Sequence, residues 1–378
     1  MASAVHRPHR FPACPIVSMV YRAFLILEAW LDRIDPGTHR RIKGLRLVTA
    51  YGIAAALGAL HDIHVSLPTG TSLVTLAAGF ALWASVSEAR TDRYASTRDL
   101  AALCLAAAAG AAFMAGLSPL LGQHGGGEWL FVVGAFLVGY LKRFGILGGG
   151  VGSQFYIGQL LAYTSNLGPA HLPAIGIALL IAVVSSTVPR ILSGPAERPA
   201  LPPPLAPPAR PRFGTAEFVM GLQAATASLL VVALNHAFGL IASEWGVTAC
   251  VYVVAGTAAG TLTRGRQRML GTLVGVPLGL LCLPLAAHAP LLIWCAASVA
   301  MIIYAMALPE RYDVACGAFA FTLVVTLAVG GEHSIAVLTA RIWQTLLGGA
   351  LGIAAALLLF PLRAAPAEVA RETKSLDR

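Results

Sequence analysis

Arginine is the side chain here whose type and spacing point most directly to chemistry. Arg268, Thr272 and Gly275 recur as Arg341, Thr345 and Gly348, with the same gaps of four and three. A guanidinium binds a carboxylate through two parallel hydrogen bonds, so an arginine inside an apolar segment is a candidate anion receptor. If the last apolar span begins near Ile335, Arg341 lies about 9 Å inside its boundary, at about 1.5 Å per residue. Three readings of Arg341 stand side by side. It binds a substrate carboxylate; or it pairs with Glu332 or Glu244; or the span begins near Gln344 and the side chain reaches outward to lipid headgroups.

A second constellation lies between Gly148 and Thr164. Gln154, Tyr156, Gln159 and Tyr163 stand in an otherwise apolar run, and Tyr156, Gln159 and Tyr163 share one helical face. Amides and phenols are poorly satisfied by lipid, so this face should look inward. It could contact a polar aromatic ligand, or hydrogen-bond neighbouring helices. Ahead of it, the run Gly148-Gly149-Gly150 allows a break or hinge.

His61 and Asp62, at a span end, are candidates for proton coupling because histidine titrates near neutral pH. Most loop histidines (His61, His64, His124, His171, His236, His288, His333) have a plainer reading. A neutral side chain is tolerated in translocated loops where Lys and Arg are not.

The elements that position these residues follow from composition. Of 378 residues, 57% are hydrophobic and 11% charged, and mean hydropathy is +0.75. A soluble chain carries about a quarter charged residues. Apolar runs near twenty residues, separated by short loops, identify an all-α polytopic transmembrane helical bundle. The spans fall near 44–61, 68–86, 99–117, 128–141, 148–165 and 172–189, then near 217–236, 245–262, 269–287, 290–308, 313–330 and 335–361.

The formal charge of +9 does not imply nucleic acid. Lys and Arg occupy every second loop, as the positive-inside rule requires of a chain with about twelve spans and both termini in the cytoplasm. On this reading R-G-R-Q-R (264–268) is a cytoplasmic turn and Arg46 reaches to headgroups at the end of the first span. Glu310, Arg311 and Asp313 form a solvated cluster. Six scattered cysteines without a C-x-x-C support neither a disulfide framework nor a metal site. No nucleotide-binding loop or nucleophile constellation occurs, so an enzyme and a cofactor are not expected.

The chain divides into a basic tail (1–41) with an amphipathic interfacial helix near 17–31, a six-span unit (42–192), a Pro-rich cytoplasmic linker (193–214), a second six-span unit (215–362) and a cytoplasmic tail (363–378). Gly44, Leu45 and Thr49 open the first unit as Gly221, Leu222 and Thr226 open the second, and Arg98 opens the third span as Arg268 opens the ninth. Two six-span units that enter from the same side are parallel repeats, with a pathway expected between them. Gly271, Thr272, Gly275, Thr345 and Gly348 read as small residues that let helices approach closely. The ninth and twelfth spans are the expected partners.

The runs R-M-L-G-T-L-V-G (268–275) and R-I-W-Q-T-L-L-G (341–348), with Pro361 closing, resemble the fusaric-acid-resistance (FUSC) family, which includes bacterial aromatic-acid exporters. The resemblance covers residues 217–362, and the first unit lacks the Gly-Thr pair. It implies a multi-pass protein of the bacterial inner membrane exporting small organic, aromatic carboxylic acids, with protons as the drive. Its partners would be the organic acid and membrane lipid, with room for a homo-oligomer or accessory efflux subunits. Larger members carry a cytoplasmic domain where this chain has the linker. A passive organic-anion channel and a non-transporting assembly protein are the alternative functions.

Overall fold

The structure is a computed structural model that describes residues 25, 28–29, 31–33, 35, 38–64, 72–90, 92–121, 126–193, 215–308, 310–331, 334–359 and 361–362. The proposed interfacial helix lies largely outside these residues, as do nearly all of the linker and the carboxyl tail. Among the described residues there is no β-strand. Thirteen α-helices are described: α1 His39–His64, α2 Leu73–Ser87, α3 Arg93–Leu117, α4 Phe131–Tyr140, α5 Gly145–Thr164, α6 Leu172–Ser193, α7 Thr215–Phe238, α8 Glu244–Val253, α9 Ala258–Leu281, α10 Leu283–His288, α11 Pro290–Ala307, α12 Tyr312–Val329 and α13 Ile335–Leu358.

A helix lies at or near each expected span, and short α10 follows the ninth. Among the described residues eight helical stretches are long and apolar enough to cross a membrane, one of them continuous over Gly127–Thr164, while α2 is apolar but shorter. The chain is therefore a polytopic helical membrane protein. Two expected spans do not form as single apolar helices. The eighth ends at Val253, and Val254 to Thr257 run on without helix. The ninth begins at Ala258, where the Thr257 hydroxyl accepts from the Gly260 N–H at 3.0 Å.

The expected turn at 264–268 is thus corrected, since all three arginines lie within α9. Arginine is a good helix former, and the Thr257 cap places the helix start well before the first of them. Arg264 and Arg266 point outward and Arg268 is buried.

The helices pack in a pattern that recurs between the halves. Contacts α1–α2, α1–α6, α2–α6, α3–α5, α3–α6 and α4–α5 have as counterparts α7–α8, α7–α13, α8–α13, α9–α12, α9–α13 and α11–α12. Across the seam, α4 packs on α7 and α11 packs on α1.

Small residues set the closest crossings. A Cβ on Gly110 would strike the Phe155 carbonyl, and one on Gly158 the Ala107 carbonyl, which locks α3 to α5. In the second half Gly271 abuts the Asp313 carbonyl and Gly275 the Gly317 carbonyl, so the α9 glycines approach α12. Gly348 abuts the Gly246 carbonyl of α8. Helices α9 and α13 do touch, but the motif glycines make their nearest approaches to other helices than the pairing expected. The chain break comes at Gly145, whose φ of +78° suits glycine. Helix α5 then runs unbroken through the glycine run, where Gly148 and Gly152 let it cross close to the Leu141 and Leu137 carbonyls.

Candidate functional site

Arg268 and Arg341 converge although they lie on different helices. Arg268 is 7% exposed and Arg341 4%. Helix α9 carries Arg268 ten residues past its start, and α13 carries Arg341 six residues past its own. At about 1.5 Å per residue these are depths of about 15 and 9 Å from opposite ends of the bundle. Both guanidiniums lie within electrostatic range of each other and of Cys316 on α12.

The walls are aromatic. The Arg341 guanidinium sits 4.2 Å from the ring centre of Trp245 and 4.8 Å from that of Phe319. Arg268 lies 5.8 Å from the ring centre of Tyr252 and its Nη1 donates to the Tyr312 hydroxyl at 3.2 Å. Trp83 of α2 reaches from the first half to pack edge-on against Phe319 and Tyr304, at 5.1 and 6.3 Å between ring centres. The site is therefore on the seam. Among the described residues neither arginine forms an ion pair, and the Nε of each is buried without a hydrogen-bond partner. Ring faces carry partial negative charge and stabilise a guanidinium, but they leave its donors free. The chemistry gathered here, guanidinium donors beside aromatic ring faces, is that which recognises an aromatic carboxylate.

The readings of Arg341 narrow accordingly. Helix α13 starts at Ile335, so the outward-reaching alternative does not apply. The Glu244 carboxylate acts on Arg341 electrostatically without forming an ion pair, and Glu332 lies outside the described residues.

The polar face of α5 is occupied by contacts between helices. Gln154 Nε2 donates to the Trp83 carbonyl and to Ser87 Oγ, both at 2.8 Å. Gln159 Nε2 donates to the Leu130 carbonyl at 2.9 Å. The Tyr156 hydroxyl meets Thr248 Oγ1 at 2.9 Å. Thr248 gives its own proton to the Glu244 carbonyl, so Tyr156 is the donor and ties α5 to α8 across the seam. Tyr163 donates to Glu128. Of the two readings of this face, hydrogen bonding between helices is the one these contacts fit. Tyr156 nevertheless supports the site, because its ring packs edge-on against Tyr252 at 6.1 Å.

Asp62 accepts from the Leu73 N–H at 3.0 Å and from Ser72 Oγ at 3.3 Å. An anion at a helix start is stabilised by the free N–H groups, so Asp62 caps α2. His61 Nδ1 lies 4.0 Å from the Asp62 carboxylate.

Arg46 corrects another expectation. It is buried and donates to Glu88 at 2.9 Å, instead of reaching to headgroups. Arg98, the expected counterpart of Arg268, is exposed and 3.3 Å from Asp99. The cluster at 310–313 is solvated as read, with Arg311 on Asp313 and Glu310 on Arg40.

Two features escaped the sequence. Trp83 carried no visible signal, because it enters the site only by tertiary packing. Glu128 did carry one, a lone acid ahead of an apolar span, but its three partners lie 35, 107 and 115 residues away.

The fold defines a polytopic helical membrane protein. Residues 227–355 match the family described as fusaric acid resistance protein-like, a stretch that holds Arg268, Arg341 and both copies of the spaced motif. No curated protein and no solved structure matches the chain.

Proposed function

We propose that this chain exports small aromatic carboxylic acids across a bacterial inner membrane, using the proton gradient. The observation that carries this reading is the pair of buried guanidiniums, walled by aromatic rings and lacking any ion pair among the described residues. An uncompensated buried cation costs several kcal/mol, and an arriving carboxylate would offset that cost. The match over residues 227–355 supports the same class.

The chain would cross the membrane twelve times as two six-helix repeats, 42–192 and 215–362, with both termini in the cytoplasm. The recurrence of helix contacts between the halves, with α1–α3 answering to α7–α9 and α4–α6 to α11–α13, supports the repeats. Basic residues near helix ends support the orientation: Lys142 and Arg264 are near enough to interact, Arg40 reaches Glu310, and Arg190 donates to the Arg90 carbonyl, as the positive-inside rule expects of one end.

The test is efflux of a panel of aromatic acids from cells with and without the chain, and from cells carrying Arg341→Gln at equal expression. Export that depends on the chain, collapses with the proton gradient and is lost in Arg341→Gln is expected. Anion currents insensitive to that gradient would instead identify a passive channel. Neither export nor current would leave the assembly role.

A further inference from the structure

We propose that Arg268 and Arg341 together form one receptor for a dianion, an aromatic ring that carries a carboxylate at each end. This names the substrate class of the site more narrowly, and it rests on the reading that aromatic acids bind there.

One face of α12 sets the geometry. Tyr312, Cys316 and Phe319 follow each other at gaps of four and three, so they stand in a row along the helix. Tyr312 takes a hydrogen bond from Arg268 Nη1 at 3.2 Å, and the Phe319 ring centre lies 4.8 Å from the Arg341 guanidinium. From Tyr312 to Phe319 the helix rises about 10 Å. The two guanidiniums are thus held at opposite ends of a face two turns long. Cys316 lies between its ends and within electrostatic range of both arginines. Aromatic rings line this interval. Tyr304 stands 6.2 Å from Phe319, and Trp83 packs against both.

The charge of the site calls for two anions. Both arginines are buried, and the Nε of each lacks a hydrogen-bond partner. The acids nearby do not neutralise them. Asp313, next to Tyr312, meets Arg311 at 3.0 Å. Glu244 lies within electrostatic range of Arg341 but forms no ion pair with it among the described residues. A ligand with one carboxylate satisfies one guanidinium and leaves the other buried without an anion, which is destabilising. A second carboxylate on the same ligand meets the other guanidinium without the loss of freedom that binding a second molecule entails. With charge-assisted hydrogen bonds of about 2.8 Å at each end, a benzene ring bearing two opposed carboxylates spans an interval of this order.

Calorimetric titration of the purified full-length protein tests this, with terephthalate, its monomethyl ester and benzoate as probes. The pH is one at which every free carboxyl is ionised. The ester keeps the ring and the length of terephthalate and lacks one charge, so the pair isolates the second anion. Wild type should bind one terephthalate per chain about tenfold more tightly than the ester, a difference of about 1.4 kcal/mol. That preference should vanish in Arg268→Gln and in Arg341→Gln, since each removes one end of the receptor. Being a ratio, it is insensitive to a general loss of affinity in either variant.

Equal affinity of wild type for terephthalate and the ester would overturn the proposal, and this comparison decides even if neither variant folds. A preference that survives either substitution would also overturn it, as would two terephthalates per chain, one for each arginine. If benzoate and the ester bind as tightly as terephthalate, the dianion fails while the aromatic-acid reading stands. If none of the three binds, that reading fails at this site and the dianion with it.

Discussion

Each half of the molecule buries arginine, and Arg46 in the first half is held in the opposite way to Arg268 and Arg341 in the second. In the first half Arg46 meets Glu88 at 2.9 Å with both side chains buried. Arg90, itself exposed, meets the buried Asp99 at 2.9 Å, while fully buried Arg190 donates to a hydroxyl, Ser96 Oγ, at 2.7 Å. In the second half Arg268 and Arg341 have rings and a phenol around them and, among the described residues, no ion pair. A buried cation with its anion is structure, because removing either partner leaves a charge stranded. A buried cation without one is destabilising until something binds. The related packing of the halves therefore carries an arginine paired with its anion at Arg46 and, among the described residues, two arginines without an ion pair at Arg268 and Arg341.

The strongest way to break this comparison is to remove one charge from each half and read stability and transport separately. Arg341→Gln should reduce transport of aromatic acids by about 100-fold, since losing one partner of a buried charge contact costs about 2–5 kcal/mol. Its thermal unfolding midpoint should stay or rise, because no ion pair is lost. A fall in stability like that of an ion-pair mutant would show that Arg341 is structural.

Glu88→Gln should do the reverse and lower stability by about 3–5 kcal/mol, since Arg46 remains buried without its anion. Replacing both residues, as Arg46→Met with Glu88→Leu, should recover most of that loss, read by thermal unfolding in detergent. No recovery would mean that Arg46 and Glu88 do not act as a pair.

A smaller effect sharpens the receptor side. Trp245→Leu removes the ring nearest Arg341 and should weaken binding of an aromatic acid about tenfold, in line with about 1–2 kcal/mol for a desolvated cation–ring contact. An aliphatic acid should bind through the guanidinium with less dependence on Trp245, and equal losses for both would argue against ring stacking.

The smallest effect lies at the exposed pair of Arg40 and Glu310. The hydrogen bond from Arg40 holds the Glu310 carboxyl below its ordinary value. A depressed carboxyl adds stability above its unfolded value, and that stability is lost as pH falls through the folded value. Because Glu310 is largely exposed, solvent screening should limit this to about 0.5 kcal/mol and salt should erase it. An acid-side loss of stability that persists in Arg40→Gln would have another origin.

Much of the architecture was legible in the residue order. Hydropathy and the alternation of basic loops are local properties, so α1, α3, α6, α7 and α11–α13 fall where apolar runs predict them. The eighth and ninth spans were misjudged for a local reason as well. Val254 to Thr257 are apolar or small and look like continuing helix, while R-G-R-Q-R looks like a loop although its arginines extend α9. The spacing shared by Arg268 and Arg341 was visible, but spacing does not report what surrounds a side chain.

Length and hydropathy determined by themselves that this is a helical membrane protein, and residue spacing that an arginine motif repeats in its second half. Only the tertiary structure decided which arginines are neutralised. Arg46 and Glu88 are 42 residues apart, Tyr163 and Ser243 reach Glu128 from opposite halves, and Trp83 joins a site built mostly from α8 to α13. A charge in an apolar interior is stable, reactive or receptive according to what lies within a few ångströms, because Coulomb and hydrogen-bond energies act across space and a linear chain does not record which distant residues will close that space.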